Sequence, residues 1–205
     1  MEKTLLILAG PPATGKGYFS DLLLKKITNF SLLSPDTAQE MYADRFGYKN
    51  IVEKQQIYER AFDLFYDMMA YAMHTAQKLI VIDYPFSSKQ RKKIDDMSKF
   101  YHYNIMTICF VSEFNTLYER RKKRDTSMTR HPVYLTESYQ YGEEVSESQR
   151  KDLLISKAEF RKKISESGYE EFALGETIKI DTTLFSPMLD RQLQAIIEKI
   201  SNKIA

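Results

Sequence analysis

Apolar runs alternate with amphipathic stretches along the chain. Four short runs are rich in Leu, Ile, Val or Phe and predict strands at residues 5–9, 30–34, 79–82 and 104–112, and ETIKIDTT at residues 176–183 predicts a fifth strand. Runs without polar alternation are typical of strands that are buried on both faces of a parallel sheet. Residues 79–82, with the sequence LIVI, show this most clearly.

In the stretches between these runs, apolar residues recur every three or four positions, as on one face of a helix. They predict helices at residues 18–28, 36–46, 51–77, 87–101, 114–125, 146–168 and 186–204. Strands that alternate with helices imply a single three-layer α/β domain over residues 1–205 with a parallel sheet. Residues 125–147 lack a clear period and contain Pro132 and Gly142, so we predict a lid or insertion there.

The first strand leads into a glycine-rich turn. Gly10 is followed by four residues and then by Gly15 and Lys16, which is the spacing of a phosphate-binding P-loop. Glycines let the backbone curl so that successive N–H groups point at one phosphate, and the following helix adds the positive end of its dipole. A glycine-rich turn with a surface lysine is the alternative, and the apolar strand before the turn argues against it.

The residue after Lys16 departs from the P-loop pattern. A Ser or Thr whose hydroxyl binds Mg²⁺ is expected there, but Gly17 and then Tyr18 follow. The phenol of Tyr18 cannot replace a short aliphatic hydroxyl. Either Mg²⁺ is held through water and a carboxylate elsewhere, or the site binds phosphate and is a weak catalyst.

Two aspartates stand near the ends of predicted strands. Asp36 follows Pro35 just after the second strand, and Asp83 ends the third strand. Ligands of parallel sheets bind beyond the carboxyl ends of the strands, so we expect both aspartates to meet the P-loop in one cleft. In P-loop enzymes a carboxylate at the position of Asp83 binds Mg²⁺ directly or through water. An aspartate that only caps the next segment is the alternative.

Composition narrows the class of protein. The net charge is +2, which is too small to favour a polyanionic partner such as nucleic acid. The single Cys109 lies in an apolar run and cannot form an internal disulfide, which fits a reducing compartment. Because no apolar stretch approaches the roughly 20 residues that cross a bilayer, we expect a cytoplasmic protein without a membrane partner. No pattern indicates an oligomeric state.

The segments GPPATGKG, SPDTAQE, VIDYPF, LYERRKKRD, RHP and IDTT, in this order, resemble a family of small P-loop kinases. These are the AAA-domain or zeta-toxin-like kinases, which are related to polynucleotide kinase and chloramphenicol phosphotransferase. The resemblance covers nearly the whole chain and implies a five-stranded sheet of order 2-3-1-4-5. It also implies transfer of the γ-phosphoryl group of ATP, with Mg²⁺, to a hydroxyl of a small-molecule or nucleotide-like acceptor.

The resemblance assigns roles to single residues. Asp36 would be the general base, Asp83 would hold Mg²⁺, and Lys16, Arg124 and Arg130 would act on the transferred phosphate. The nucleotide would be bound by Gly10, Ala13, Thr14, Gly15, Lys16, Gly17, Tyr18 and Arg120.

One position and two basic segments leave these roles open. The family often has an arginine three residues after the base, where this chain has Gln39. An exposed basic helix face remains the alternative for residues 120–124, and an ordinary exposed loop remains the alternative for Arg130.

Two further functions stay open. A nucleotide-binding module with little catalysis would explain the missing hydroxyl after Lys16. A kinase that acts on RNA or DNA ends would use the basic helices, although the near-neutral net charge argues against it.

Overall fold

The computed structural model describes residues 3–204. Five parallel strands form one sheet in the order β2-β3-β1-β4-β5, as predicted. The strands are β1 (Thr4–Ala9), β2 (Ser31–Leu33), β3 (Leu79–Asp83), β4 (Asn104–Val111) and β5 (Glu176–Asp181). β1 lies at the centre, and all six of its residues are buried.

Eight α-helices connect the strands within the described residues. They are α1 (Lys16–Lys26), α2 (Pro35–Phe46), α3 (Ile51–His74), α4 (Ser88–Tyr101), α5 (Phe114–Thr126), α6 (Glu147–Asp152), α7 (Lys157–Ser167) and α8 (Pro187–Ile204). None of the helices in residues 3–204 is long and apolar enough to cross a membrane.

The sheet separates two apolar layers. On one face, alternate residues of β1, such as Leu6 and Leu8, pack with α1 and α8. On the other face, Leu5 and Ile7 pack with α3 and α4. Because successive side chains of a strand point to opposite faces, a strand between two helical layers must be apolar throughout. This is why β1 and β3 could be recognised in the sequence as nearly unbroken apolar runs.

The predicted helix at residues 146–168 is wrong in one respect, because two helices lie there. α6 ends at Asp152 and α7 begins at Lys157. The side chain of Ser156 accepts a hydrogen bond from the backbone N–H of Glu159, while the Glu159 carboxylate accepts one from the N–H of Ser156. This capping box starts a new helix. α1 also begins two residues before the predicted start, at Lys16.

The segment predicted as a lid or insertion contributes to the core. Val133 and Tyr139 are buried with Ala43, Tyr48 and Ile57 in a third apolar cluster. The backbones of Tyr48 and Tyr139 also pair as an antiparallel bridge, with two hydrogen bonds of 2.8 Å. Residues 131–139 are therefore docked on the turn between α2 and α3.

Candidate active site

The P-loop has the backbone that its glycines permit. Gly10 and Gly15 have φ of 114° and 94°, in the region that favours glycine. A Cβ at Gly10 would lie 2.0 Å from the carbonyl oxygen of Phe110, so the strand packing excludes any larger residue. Lys16 folds back, and its Nζ donates to the carbonyl oxygens of Gly10 and Pro11 at 3.0 Å each.

A cavity of about 600 Å³ opens over the carboxyl ends of β1, β2 and β3. Nine of the residues with predicted roles line it: Ala13, Gly15, Lys16, Gly17, Asp36, Asp83, Arg120, Arg124 and Arg130. The two aspartates and Lys16 thus share one cleft, as expected from the topology.

Three predicted nucleotide-binding residues do not line the cavity. Gly10 lies beneath the loop against β4, and the buried hydroxyl of Thr14 donates to the carbonyl of Pro11 at 2.8 Å. The phenol of Tyr18 turns away and donates to Asp190 at 2.9 Å, while its ring packs on Phe185. The Tyr18 side chain therefore cannot take the place of the missing hydroxyl in the cleft.

Burial perturbs the charged groups of the cleft. Burial raises the pKa of Asp83 to about 6, against the opposing influence of Lys16. Burial also raises the pKa of Asp36, which Arg130, Lys16 and Arg124 oppose. The pKa of Lys16 is lowered by burial, although both aspartates favour its charged form. Two carboxylates and a lysine that influence one another in a cleft are typical of a site for a charged ligand.

Asp125 organises the arginines of α5. Its buried carboxylate accepts from Nε of Arg121 at 2.9 Å and from Nε of Arg124 at 3.1 Å, and it lies 3.7 Å from Nε of Arg130. Arg121 directly follows Arg120 on the helix, yet it lines the same cavity, where Asp125 holds it.

Arg130 is held from several sides. Its guanidinium lies 3.3 Å from the ring centre of Tyr134, and its carbonyl accepts from Nη1 of the buried Arg150 at 2.8 Å. Tyr134 in turn donates to Glu40 at 2.8 Å. The buried Nε of Arg130 has no hydrogen-bond partner among the described residues and lies 3.7 Å from the carboxylate of Asp125.

Arg120 lies at the other end of α5. Its Nη2 donates to the carbonyl of Thr183 at 3.2 Å, and its guanidinium packs 4.6 Å from the ring centre of Phe185. Phe185 also covers Gly15. This places Arg120 beside the P-loop at the segment that follows β5.

Several cavity residues were not identified from the sequence. Lys54 and Tyr58 come from α3, Tyr84 follows β3, and Lys163 and Tyr169 come from α7 and the segment after it. Lys54, Tyr58 and Lys163 lie in stretches that were predicted only as helices, Tyr84 directly follows the third predicted strand, and Tyr169 lies just beyond a predicted helix. The tertiary fold brings all five to the cavity that Asp36 lines.

Within residues 3–204, the protein alone does not supply enough coordinating groups for a metal ion in this cleft, so a bound nucleotide and water would have to complete the coordination. The described residues contain no group of three His, Cys, Asp or Glu side chains that could hold an ion. Asp83 supplies a single carboxylate in the cleft beside Lys16. This fits Mg²⁺, which commonly keeps several waters and uses one or two carboxylates together with substrate phosphates.

Comparison with solved structures identifies the fold. The chain is similar to a presumed kinase from Chloroflexus aurantiacus J-10-fl, with 21% identity, 98% of each chain covered and a TM-score of 0.69. A tunicamycin resistance protein from Deinococcus radiodurans matches with 13% identity and a TM-score of 0.51, over 100% of this chain and 96% of the other.

A chain of the Pnkp1/Rnl/Hen1 RNA repair complex matches with 16% identity and a TM-score of 0.55, over 91% of this chain and 50% of that one. No family model matches the sequence, and no curated protein matches it. At these identities the likeness establishes the architecture, and together with the P-loop geometry it shows that this chain has the fold of the small P-loop kinases.

Proposed function

We propose that this protein is an ATP-dependent phosphotransferase, a P-loop kinase that moves the γ-phosphoryl group of ATP to a hydroxyl of a small-molecule or nucleotide-like acceptor. One observation carries the proposal: Lys16 of the P-loop, Asp36 and Asp83 line the same cavity. Phosphoryl transfer requires positioned phosphates, positive charge and a carboxylate near the attacking hydroxyl, and this cleft offers all three.

The nucleotide would occupy the P-loop side of the cleft. The backbone N–H groups at the start of α1 and the ammonium of Lys16 would bind its phosphates. Lys16 would exchange its present bonds to the carbonyls of Gly10 and Pro11 for phosphate oxygens. Arg120, fixed against Phe185, would lie beside the base or the phosphates.

Asp36 would act as general base. The acceptor O–H gives its proton to the Asp36 carboxylate, its oxygen forms a bond to the γ-phosphorus, and the bond to the bridging oxygen of ADP breaks with the electron pair. Burial raises the pKa of Asp36 and so favours acceptance of a proton. Arg124 and Arg130, aimed into the cleft by Asp125, would stabilise the charge on the transferred group.

Mg²⁺ would be held by Asp83 and the nucleotide phosphates, and when bound it would neutralise charge on the leaving group. The chain supplies only one carboxylate for this purpose and no hydroxyl at residue 17. Asp83 would therefore carry most of the protein's contribution to metal binding.

The test uses γ-³²P-labelled ATP with a metabolite extract, and it measures label in products other than phosphate. The wild type should form a labelled product. Lys16→Ala should lose MgATP binding, whereas Asp36→Asn should retain binding and lose transfer by about 10²-fold or more. Asp21→Asn, at an exposed position of α1, is the matched control.

Transfer that survives Asp36→Asn would exclude Asp36 as the base. A nucleotide-binding module with little catalysis is the second candidate, and the glycine after Lys16 favours it. Saturable MgATP binding by the wild type without any labelled product would support this module over the kinase.

A further inference from the structure

The cavity carries more positive charge than a nucleotide needs. Seven cationic side chains line it, namely Lys16, Lys54, Arg120, Arg121, Arg124, Arg130 and Lys163. Three carboxylates line it, those of Asp36, Asp83 and Asp125, which leaves an excess of four positive charges. A nucleoside triphosphate with Mg²⁺ brings about two negative charges. The remaining excess has no counter-ion among the groups that line the cavity.

The cations fall into two groups. Lys16, Arg124 and Arg130 all influence the pKa of Asp36, so they surround the proposed base. Lys54 and Lys163 line the same cavity but are not among the charges that act on the pKa of Asp36. Burial lowers the pKa of Lys54, while the nearby charge of Glu137 opposes this decrease and that of Lys163 adds to it. Two ammonium groups that line one cavity favour an anion between or beside them.

The two lysines are held differently. Nζ of Lys54 donates to the carbonyl of Thr136 at 2.7 Å, which fixes its position and leaves two further N–H donors. Lys163 lines the cavity and forms no ion pair with the residues that the structure describes. The charge of Glu137 acts on Lys54 and that of Asp125 acts on Lys163, but neither carboxylate pairs directly with these lysines, so both ammonium groups keep donors for a ligand.

Tyrosine hydroxyls connect these lysines to the base. Tyr58 lies one turn after Lys54 on the same face of α3, and its hydroxyl is 3.1 Å from that of Tyr84. Asp36 contributes to the raised pKa of Tyr58, whose main cause is burial. One end of a bound ligand could therefore contact Lys54 while the other end, passing Tyr58 and Tyr84, reaches Asp36.

We propose that the acceptor is a small molecule that carries a phosphate group, which Lys54 and Lys163 bind while its hydroxyl faces Asp36. This inference rests on the proposed function, since it names the acceptor class of the same site. A cavity of about 600 Å³, shared with the nucleotide, leaves room for a small molecule. The net charge of +2 for the whole chain also gives little attraction for a polynucleotide.

The experiment measures the acetylation of lysines by acetic anhydride, read by mass spectrometry. Wild-type protein is labelled alone, with the non-hydrolysable analogue MgAMP-PNP, and with the analogue and increasing inorganic phosphate. Phosphate should protect Lys54 and Lys163 by about threefold or more, with saturation at concentrations on the order of millimolar. Lys162, which is exposed and lies outside the cavity, should remain equally reactive throughout.

A variant pair extends the experiment. Lys163→Gln should abolish the phosphate protection of Lys54 and leave the affinity for MgAMP-PNP within about twofold, whereas Lys162→Gln should change neither. If MgAMP-PNP alone protects both lysines and phosphate adds nothing, the lysines serve the nucleotide and the proposal fails. If phosphate protects neither lysine, it also fails. Failure of the proposed function is distinct, because the wild type would then form no labelled product from γ-³²P-labelled ATP, whatever phosphate does to the two lysines.

Discussion

At the residue scale, the carboxyl group of Asp83 weakens the unliganded fold. Burial raises its pKa to about 6 from its ordinary value of 3.8, so the folded protein binds this proton more tightly than the unfolded chain does. The contribution of this group to stability is fully present below about pH 4 and is lost as the pH rises through about 6. At neutral pH the buried charge therefore costs stability, as expected of a group kept for ligand binding.

Asp83→Asn should stabilise the protein without nucleotide at pH 7.5, by about 1–2 kcal/mol. This expected gain in the free energy of unfolding is kept small because the carboxyl group faces an open cleft, where water weakens the effect of burial. The gain should shrink towards zero as the pH falls below about 4, where the carboxyl group becomes protonated in both states. Urea denaturation at several pH values measures it, with Asp21→Asn as an exposed control. An equal gain at both pH values would rule out the titration of Asp83 as its cause.

Gly17 offers a direct test of the departure from the P-loop pattern. It lies in the first turn of α1 and lines the cavity, and a Cβ at this position would contact nothing within 4 Å. Gly17→Ser should therefore be accommodated and raise the free energy of unfolding by about 0.5 kcal/mol. It should also strengthen Mg²⁺-dependent nucleotide binding, measured by calorimetry with and without Mg²⁺.

Gly17→Ala is the control for Gly17→Ser, because it removes the glycine without adding a hydroxyl. It should stabilise α1 at least as much and leave the Mg²⁺ dependence unchanged. The same increase in Mg²⁺ dependence in both variants would show that helix stability, and not the hydroxyl, is responsible.

The positions of Lys16, Asp36 and Asp83 could be predicted because local sequence determines them. A glycine spacing fixes the loop, and strand ends fix the two aspartates at one edge of the sheet. Lys54, Tyr58 and Lys163 could not be predicted in the same way. Their side chains reach the cleft only through the packing of helices on the sheet, which leaves no pattern in the sequence around them.

At the scale of elements, α5 depends on Asp125. The carboxylate sits at the end of the basic run of the helix and pairs with arginines of that helix and of the segment after it. Sequence reasoning treated the run as a row of cations and missed their anionic partner. The sequence did indicate this ion pair, because Arg121 and Asp125 are four residues apart and so lie next to each other on a helix.

Asp125→Asn should lower the free energy of unfolding by about 2–3 kcal/mol, because it leaves partly buried guanidinium groups without their counter-charge. It should also slow phosphoryl transfer more than it weakens nucleotide binding, since Arg124 and Arg130 lose their orientation. Denaturation and label transfer measure the two effects. Asp96→Asn removes an exposed pair with Lys92 and should cost no more than about 0.5 kcal/mol. A loss of the same size in both variants would contradict the special position of Asp125.

The break between α6 and α7 shows which element signals were missed. The apolar residues of 153–155 continue the helical pattern, and they led to one predicted helix. Ser146 and Ser156 are each followed three residues later by Gln149 or Glu159, and each pair forms a capping box. Two capping boxes within eleven residues therefore indicate two helix starts. A prediction from apolar periodicity alone misses the second one.

At the scale of the whole molecule, the segment after α5 is joined to the domain by a core of its own. Val133 is fully buried in this cluster, and Arg130 lies three residues before it. The docking of Val133 therefore also positions Arg130 in the cleft.

Val133→Ala should lower the free energy of unfolding by about 2 kcal/mol. It should also reduce transfer to the acceptor through the misplacement of Arg130. Val52→Ala is a matched control, because Val52 is 65% exposed in the first turn of α3 and its truncation should change little. If Val133→Ala destabilises the protein but leaves phosphoryl transfer unchanged, the docking of this segment is not needed to position Arg130 for transfer.

The central position of β1 has a consequence for how the chain is made. Thr4 pairs with Leu79 on one side and with Asn104 on the other, so the innermost strand leaves the ribosome long before its neighbours. Until β3 has emerged, this apolar strand has no native partner strand, and long-range pairing of this kind is slow. Nascent chains that stall before residue 79 should therefore associate with chaperones or aggregate, whereas chains released after residue 111 can assemble the middle of the sheet.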